Sequence, residues 1–157
     1  MRPIKYIVIH HNGVPGRTVD DVRRTHLQRG WADIGYHYVI DAQGDIFFGR
    51  PVHRPGAHVE GLNSASLGIC LIGNGNEHDF SEDQYSALRE LLQDLRRKHP
   101  QALILGHRET GPYVKPPHKP TKKQCPGRLV DMDRIRAMAP IGDIPGKSPG
   151  DDFSPAA

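Results

Sequence analysis

The sequence predicts one α/β (α+β) domain, built on a central mixed β-sheet of about five to six strands flanked by helices. Short apolar runs alternate along the chain with segments of helical periodicity, which is the pattern of a sheet covered by helices. The chain has 157 residues, a length that suits a single domain and can bury a core without disulfides.

The apolar runs predict the strands of this sheet. The run LGICLI is apolar almost throughout, as expected of a central strand that is covered on both faces. A turn over Asp41–Asp45 separates two other runs and predicts a hairpin. The predicted strand segments are Ile4–Ile9, Tyr36–Ile40, Ile46–Phe48, Leu67–Ile72 and Ala102–Leu105.

Three segments predict helices. Thr18 begins the first helix with a capping box, and Gly30 ends it. Ser81 begins the second helix in the same way, and Pro100 ends it. A short last helix is expected over Asp131–Met138. The side chains expected to face the core are Val19, Val22 and Leu27 in the first helix, Tyr85, Leu88, Leu91, Leu92 and Leu95 in the second, and Ile135 and Met138 in the last.

The domain boundary is predicted from a change in composition. Residues 1–139 contain all the predicted strands and helices, so we expect them to form the domain. Residues 140–157 are rich in Gly, Pro, Ser and Asp and offer few side chains to bury, so we expect a flexible C-terminal tail there.

Charge and hydropathy narrow the choice of partners. The net charge is +3 and the pI about 9.0, which favours polyanionic surfaces such as bacterial wall polymers. The basic residues are scattered and aromatic residues make up 6%, so no nucleic-acid partner is expected. No run approaches the ~20 apolar residues of a membrane span, and no membrane insertion is expected. The first residues lack the long apolar region of a signal peptide, so synthesis in the cytoplasm is expected.

Three potential metal ligands follow strand ends or stand in a rigid loop. His10 closes the first predicted strand, His107 follows the last, and Cys125 stands in the segment KKQCPG. Because ligands gather where strand ends and loops converge, these side chains could meet at one edge of the sheet. Two imidazoles and a thiolate suit Zn²⁺, and three protein ligands leave a position for water, as in catalytic zinc sites. Competing ligand candidates are His11, His37, His58 and His118.

The two cysteines have different surroundings. Cys125 has Lys, Gln and Pro as neighbours, and nearby lysines favour a thiolate. Cys70 lies inside the apolar run LGICLI and is expected to be a buried packing residue.

Five ordered segments, IVIHHNG, GWADIGYHYVI, SLGICLIG, LILGHRE and KKQCPG, resemble the type 2 N-acetylmuramoyl-L-alanine amidases, a superfamily that includes the peptidoglycan recognition proteins. The resemblance spans Ile4 to Met138 and is strongest to the compact amidases of short-tailed phages. It implies a zinc amidase domain over residues 1–139, with the zinc site at the strand ends. The segment between His107 and Cys125 is longer than in the short phage enzymes. It could be a surface insertion or a substrate-contacting loop, and His118 within it could replace a ligand.

The resemblance also implies roles for single residues. It places the Zn²⁺ ligands on His10, His107 and Cys125, and it places catalytic groups on Tyr36 and Lys123. A Cys as third ligand is typical of the catalytic members of the superfamily. Substrate contacts are expected at His58, Asn63 and His37.

The implied reaction is hydrolysis of the amide bond between the lactyl group of N-acetylmuramic acid and L-alanine in peptidoglycan. The implied biological setting is a phage or prophage endolysin, which we expect to be a monomer. Because no signal peptide is expected, another protein would have to carry it across the inner membrane, and it would act in the periplasm or on the cell wall after release. Alternatives are a cytoplasmic amidase that recycles muropeptides and a non-catalytic peptidoglycan-binding module. A structural zinc site would need a fourth ligand such as His118 or His11.

Overall fold

The computed structural model describes residues 2–142 and contains the predicted mixed sheet. The five strands run in the spatial order β3-β2-β4-β1-β5. Their bounds are β1 Tyr6–His11, β2 Tyr38–Ile40, β3 Ile46–Phe48, β4 Ser66–Leu71 and β5 Leu103–Gly106. The helices are α1 Val19–Gln28, α2 Glu82–Lys98 and α3 Met132–Ala137, and short 3₁₀ turns lie at Asn63–Ala65, His107–Glu109 and Gly111–Tyr113. The predicted fold class is confirmed.

Strand pairing brings the chemically important strand ends to one edge. Strand β1 lies between β4 and β5 and pairs in parallel with both. Strand β2 pairs in parallel with β4, whereas β2 and β3 form the predicted antiparallel hairpin. Every residue of β4 is buried, as the continuous apolar run predicts for a central strand. The carboxyl ends of β1, β4 and β5 therefore meet on the same side of the sheet.

Helices cover the two faces of the sheet. The apolar side of α2, with Leu88, Leu91 and Leu92 fully buried, packs against alternate β1 and β4 residues such as Ile9 and Ile69. On the opposite face, a second cluster joins α1 to the sheet and contains Val22, Ile34, Val39, Cys70 and Ile72. Because side chains alternate along a strand, His10 points to the α1 side of the sheet when Ile9 points to α2. Side-chain alternation thus presents His10 beside Cys70, its register partner on β4.

Both predicted capping boxes are present. The side chain of Thr18 accepts a hydrogen bond from the Asp21 N–H, and that of Ser81 accepts one from the Gln84 N–H. The structure contradicts the prediction that Leu27 of α1 faces the core. Leu27 is exposed, and His26, four residues after Val22, takes the inward position. The prediction about Leu27 is wrong because position 26, rather than 27, continues the helical stripe from Val22.

Four of the five strands begin or end one or two residues away from their predicted bounds. Strand β2 begins at Tyr38 rather than Tyr36, although the hairpin pairing continues through the hydrogen bond from the Arg50 N–H to the Tyr36 carbonyl. Most of the predicted tail, residues 143–157, lies outside the described residues, so the domain boundary stays a prediction. Within residues 2–142, no helix has both the length and the apolar character to cross a membrane.

Candidate metal centre and its groove

His10, His107 and Cys125 meet at the shared strand edge. His10 lies near the end of β1, and His107 begins the 3₁₀ turn directly after the neighbouring strand β5. Cys125 arrives from the following loop, whose backbone is held by a hydrogen bond from the Arg108 N–H to the Cys125 carbonyl. One nitrogen of each imidazole and the Cys125 Sγ all lie within 4.8 Å of one another. The structure therefore brings together the three side chains that the sequence predicts as ligands.

The thiol of Cys125 is buried and held by the backbone of β1. Its Sγ accepts a hydrogen bond from the His11 N–H at 3.3 Å and lies 3.6 Å from the Nδ1 of His10. Burial raises the pKa of Cys125 to about 12, against the lowering effects of the His11 hydrogen bond and the Lys123 charge. A cation at the site would reverse this balance, because a coordinating thiol is deprotonated.

The imidazoles of His10 and His107 are neutral, as metal ligands must be. Burial lowers the pKa of His10 well below its ordinary value, and the neighbouring His58 and His107 add to the effect. Burial and then the charge of Lys123 lower the pKa of His107 to about 4. Neutral imidazoles carry the free lone pair that a metal ligand needs. Two neutral imidazoles and one thiol, with donor atoms within 4.8 Å of one another, are a donor set that fits Zn²⁺.

His11 and His118 do not complete a four-ligand site with the three predicted ligands. The Nδ1 of His11 accepts a hydrogen bond from the Gly75 N–H at 3.0 Å, so that lone pair is already in use. His118 is exposed and lies beside Gly61, in the loop that leads toward Lys119. Among the described residues, the one group of three or more potential ligands is His10, His107 and Cys125. A closed site with four protein ligands is therefore not formed.

The three potential ligands line a solvent-open groove of about 750 Å³. One wall is α1, and the other is formed by the loop that carries Cys125. The groove is cationic, because Asp21 is its sole acidic lining residue and already accepts hydrogen bonds from the Thr18 backbone and Arg24. The cationic lining residues are Arg17, Arg24, Arg29, Lys122 and Lys123.

Tyr36 and Lys123 both lie at this groove. The Tyr36 ring is centred 5.1 Å from the His10 ring and is half-buried. Burial raises the pKa of Tyr36 well above its ordinary value, and the neighbouring Cys70 and Cys125 add to the effect. Lys123 is exposed and lines the same groove as His10 and His107, and its charge lowers the pKa of both imidazoles.

Of the three predicted substrate contacts, His58 lines the groove, whereas Asn63 and His37 do not. His58 lines the groove but is buried, and its ring nitrogens bond to His10 and Ser66. Asn63 does not line the groove; its Oδ1 accepts hydrogen bonds from the backbone N–H groups of His58 and Val59. His37 is fully buried below the groove. The structure thus gives Asn63 and His37 supporting positions rather than positions that face the groove.

The environment of His37 explains its burial. Its Nδ1 accepts a hydrogen bond from the Gly68 N–H at 3.0 Å, and its Nε2 lies 2.8 Å from the Arg54 carbonyl oxygen and 3.0 Å from a guanidinium nitrogen of Arg2. Burial lowers the pKa of His37 to about 4. A neutral ring with both nitrogens satisfied ties the loop before β4 to the start of β2.

His26 is a groove residue that the sequence analysis missed. Its Nδ1 accepts a hydrogen bond from the Gly35 N–H at 2.9 Å, and its ring packs against Trp31 and Tyr36. Burial lowers the pKa of His26 to about 4. The helical spacing from Val22 would have identified it as an inward residue of α1.

The fold and the groove together define a class of protein. A mixed α/β sheet carries two imidazoles and a thiol at its carboxyl edge, inside an open cationic groove with an ammonium group and a phenol beside them. This arrangement is typical of hydrolytic metal sites, in which three protein ligands leave one coordination position open for water.

Comparisons with known proteins agree with this class. Residues 1–128 match the family described as N-acetylmuramoyl-L-alanine amidase. The chain is 38% identical to the endolysin of Enterobacteria phage K11 over 121 residues, which cover 74% of this chain and 80% of that protein. It is 32% identical to the endolysin of Escherichia phage T7, with the same coverage of 74% and 80%.

A solved structure shows the same fold. N-acetylmuramoyl-L-alanine amidase LysC from Clostridium intestinale URNW superposes with a TM-score of 0.77 at 30% identity, over 87% of this chain and 85% of that one. Drosophila PGRP-LB superposes with a TM-score of 0.70 at 31% identity, over 87% and 82% of the two chains. The chain belongs to the N-acetylmuramoyl-L-alanine amidase family, and it is a peptidoglycan amidase that resembles phage endolysins.

Proposed function

We propose that this chain is a zinc-dependent endolysin that hydrolyses the amide bond between the lactyl group of N-acetylmuramic acid and L-alanine. The observation that carries the proposal is the convergence of His10, His107 and Cys125 within 4.8 Å at a solvent-open groove. Family membership supplies the reaction, and the donor set supports the metal.

His10, His107 and Cys125 would hold the metal. Zn²⁺ bound there supplies a Lewis acid for the amide carbonyl and lowers the pKa of a water molecule to about 7. The chain contributes neutral imidazoles, since burial keeps both histidines unprotonated, and a thiol fixed by the His11 N–H. Because these groups are fixed before a ligand arrives, little reorganisation is needed at the metal.

Lys123 and Tyr36 act on the reacting amide. Addition of water to the amide carbon places negative charge on the carbonyl oxygen, and a fixed cation beside that oxygen stabilises the transition state more than the substrate. Lys123 supplies this charge from the loop that also carries Cys125. Tyr36 is protonated at neutral pH, as tyrosines ordinarily are, and burial raises its pKa further, so its hydroxyl is a hydrogen-bond donor.

The charge of the groove suits the substrate. Stem peptides of peptidoglycan carry carboxylates, and five cationic side chains line the groove against a single carboxylate that is already bonded. A cationic groove raises the local concentration of such a ligand and steers its approach. We expect the sugar–peptide chain to lie along α1, with the amide bond at the metal centre. His58 lies at the buried side of this path.

The experiment is mass spectrometry of purified peptidoglycan after incubation with the protein, with and without a zinc chelator. The expected result is new L-alanine amino termini with intact N-acetylmuramic acid, lost on chelation and restored by Zn²⁺. Polymer that binds the protein but stays intact would contradict the enzyme and favour a recognition module. Cleavage of soluble fragments alone would contradict the endolysin role and favour recycling.

We propose that the protein acts in the periplasm or on the cell wall after its release. The need for a second protein to carry it across the inner membrane, and the monomeric state, stay predictions.

A further inference from the structure

A chain of three hydrogen bonds runs from the backbone into the metal centre through His58. The Nδ1 of His58 lies 2.8 Å from the Nε2 of His10, and its Nε2 lies 3.1 Å from the Ser66 Oγ. The Ser66 hydroxyl reaches the Leu62 carbonyl oxygen at 2.9 Å. We call this set the His58 relay. Ser66 is fully buried, His10 is 2% exposed and His58 is 8% exposed, so water does not compete for these contacts.

The donor and the acceptor of each hydrogen bond in the His58 relay follow from the Leu62 carbonyl oxygen at its outer end. A carbonyl oxygen can only accept, so the Ser66 hydroxyl donates its proton to Leu62. The Ser66 oxygen then accepts from His58, which requires the proton of His58 to be on Nε2. A neutral His58 has a bare Nδ1, and this nitrogen accepts from the Nε2–H of His10. His10 is thereby left with a bare Nδ1, the nitrogen that lies 3.6 Å from the Cys125 Sγ.

The surroundings of His58 keep its ring in this position. A Cβ atom added to Gly68 would lie 2.8 Å from the His58 ring, and one added to Gly56 would lie 2.7 Å from it. The His58 ring therefore lies between the backbones of Gly56 and Gly68, and a side chain at either position would clash with it. Asn63 fixes the loop by accepting hydrogen bonds from the His58 and Val59 N–H groups at 2.9 Å each. Both rings of the relay lack a carboxylate partner among the contacts of residues 2–142, so buried His58 and His10 are neutral.

We infer that His58, oriented by Ser66, is a positioning residue that holds His10 in its Nε2–H tautomer and so presents Nδ1 to the metal. The inference rests on the proposed zinc centre and deepens it. It gives His58 a role other than the substrate contact that the sequence predicts. Partners that orient a ligating imidazole in this way typically account for about 10–100-fold in metal affinity.

The tautomer can be measured without any metal or activity. Long-range ¹H–¹⁵N NMR of the chelator-treated protein, with His10 assigned through its substitution, reports which ring nitrogen carries the proton. We expect the proton on Nε2 in both His10 and His58. A His10 signal with the proton on Nδ1 would overturn the inference.

Two substitutions of His58 separate its acceptor from its bulk. His58→Asn keeps an acceptor near the position of Nδ1, whereas His58→Leu fills similar space without one. We expect His58→Leu to weaken zinc binding about 10–100-fold in a chelator competition, and His58→Asn to restore most of that loss. Ser66→Ala should weaken binding less than His58→Leu, because His58 can still adopt the productive tautomer. His53→Leu, at an exposed position of the same loop, is the matched control.

The results of these experiments distinguish failure of the His58 relay from failure of the proposed zinc centre. If His58→Leu melts like the parent and binds zinc equally tightly, the His58 relay is overturned while the centre stands. A rise in KM with unchanged zinc affinity would likewise overturn it in favour of a substrate contact. If the parent itself binds no zinc, the proposed centre is overturned, and the role of the relay falls with it.

Discussion

The Nδ1 of His10 lies 3.6 Å from the Sγ of Cys125, although the two residues are separated by 115 positions. The contact forms because the backbone of His11 donates to the Cys125 thiol, which fixes the late loop against the end of β1. Since β1 also pairs in parallel with β5, the same strand end meets His107. The sheet brings His10 and His107 together, and docking of the Cys125 loop against the end of β1 completes the predicted metal centre.

Removal of the Cys125 thiol should abolish tight zinc binding. With two imidazoles left, Cys125→Ala should lower zinc affinity by more than the roughly 100-fold that loss of a supporting partner costs. Metal content after dialysis and chelator competition measure this. Cys70→Ala is the matched control, because Cys70 is also a buried free cysteine but is not one of the three potential ligands. Equal zinc content in Cys125→Ala and Cys70→Ala would exclude Cys125 as a ligand.

Loss of the Lys123 charge should lower turnover without removing the metal. Lys123→Ala takes away the cation that stabilises the developing oxyanion, so we expect kcat to fall about 10²–10³-fold with zinc content unchanged. Release of L-alanine amino termini from purified peptidoglycan gives the rate. Lys115→Ala, an exposed lysine outside the groove lining, controls for the loss of one surface charge. Parent-like turnover in Lys123→Ala would rule out the oxyanion role.

The sheet and its strand-end ligands could be predicted because they depend on local patterns. The apolar runs of β1 and β5 are visible in the sequence, and His10 and His107 stand at their ends. The capping boxes at Thr18 and Ser81 are likewise local, since donor and acceptor are three residues apart.

The supporting contacts could not be predicted in the same way. His58 meets His10 across 48 positions, a pairing that no local spacing signals. His37 was expected near the substrate, but its place depends on the Gly68 N–H and the Arg54 carbonyl, which come from two other segments. The wrong prediction at Leu27 has a local cause. Helical spacing from Val22 favours His26 as the buried residue, whereas apolar character favours Leu27.

The Tyr36 hydroxyl should matter to the reaction but not to metal binding. Tyr36→Phe keeps the ring that packs 5.1 Å from the His10 ring and removes only the donor. We expect zinc affinity to stay close to that of the parent and kcat to fall about 10²-fold, as for loss of one oxyanion donor. The wall-cleavage assay and metal titration together separate the two effects. An unchanged kcat would restrict Tyr36 to packing.

Buried neutral histidines should make the metal-free protein sensitive to mild acid. Burial lowers the pKa of His37 from 6.5 to about 4 in the folded chain, so the unfolded chain takes up the proton at a higher pH. Stability from this group is therefore complete above pH ~6.5 and is lost as the pH falls toward ~4, by on the order of 2–3 kcal/mol. Urea unfolding at several pH values within this window measures the loss. In His37→Gln the free energy of unfolding should fall less steeply, although its value at neutral pH is lower because the Gly68 N–H loses its acceptor. His53→Gln, at an exposed histidine, should follow the parent, and an equal slope in His37→Gln and the parent would show that His37 does not carry the acid sensitivity.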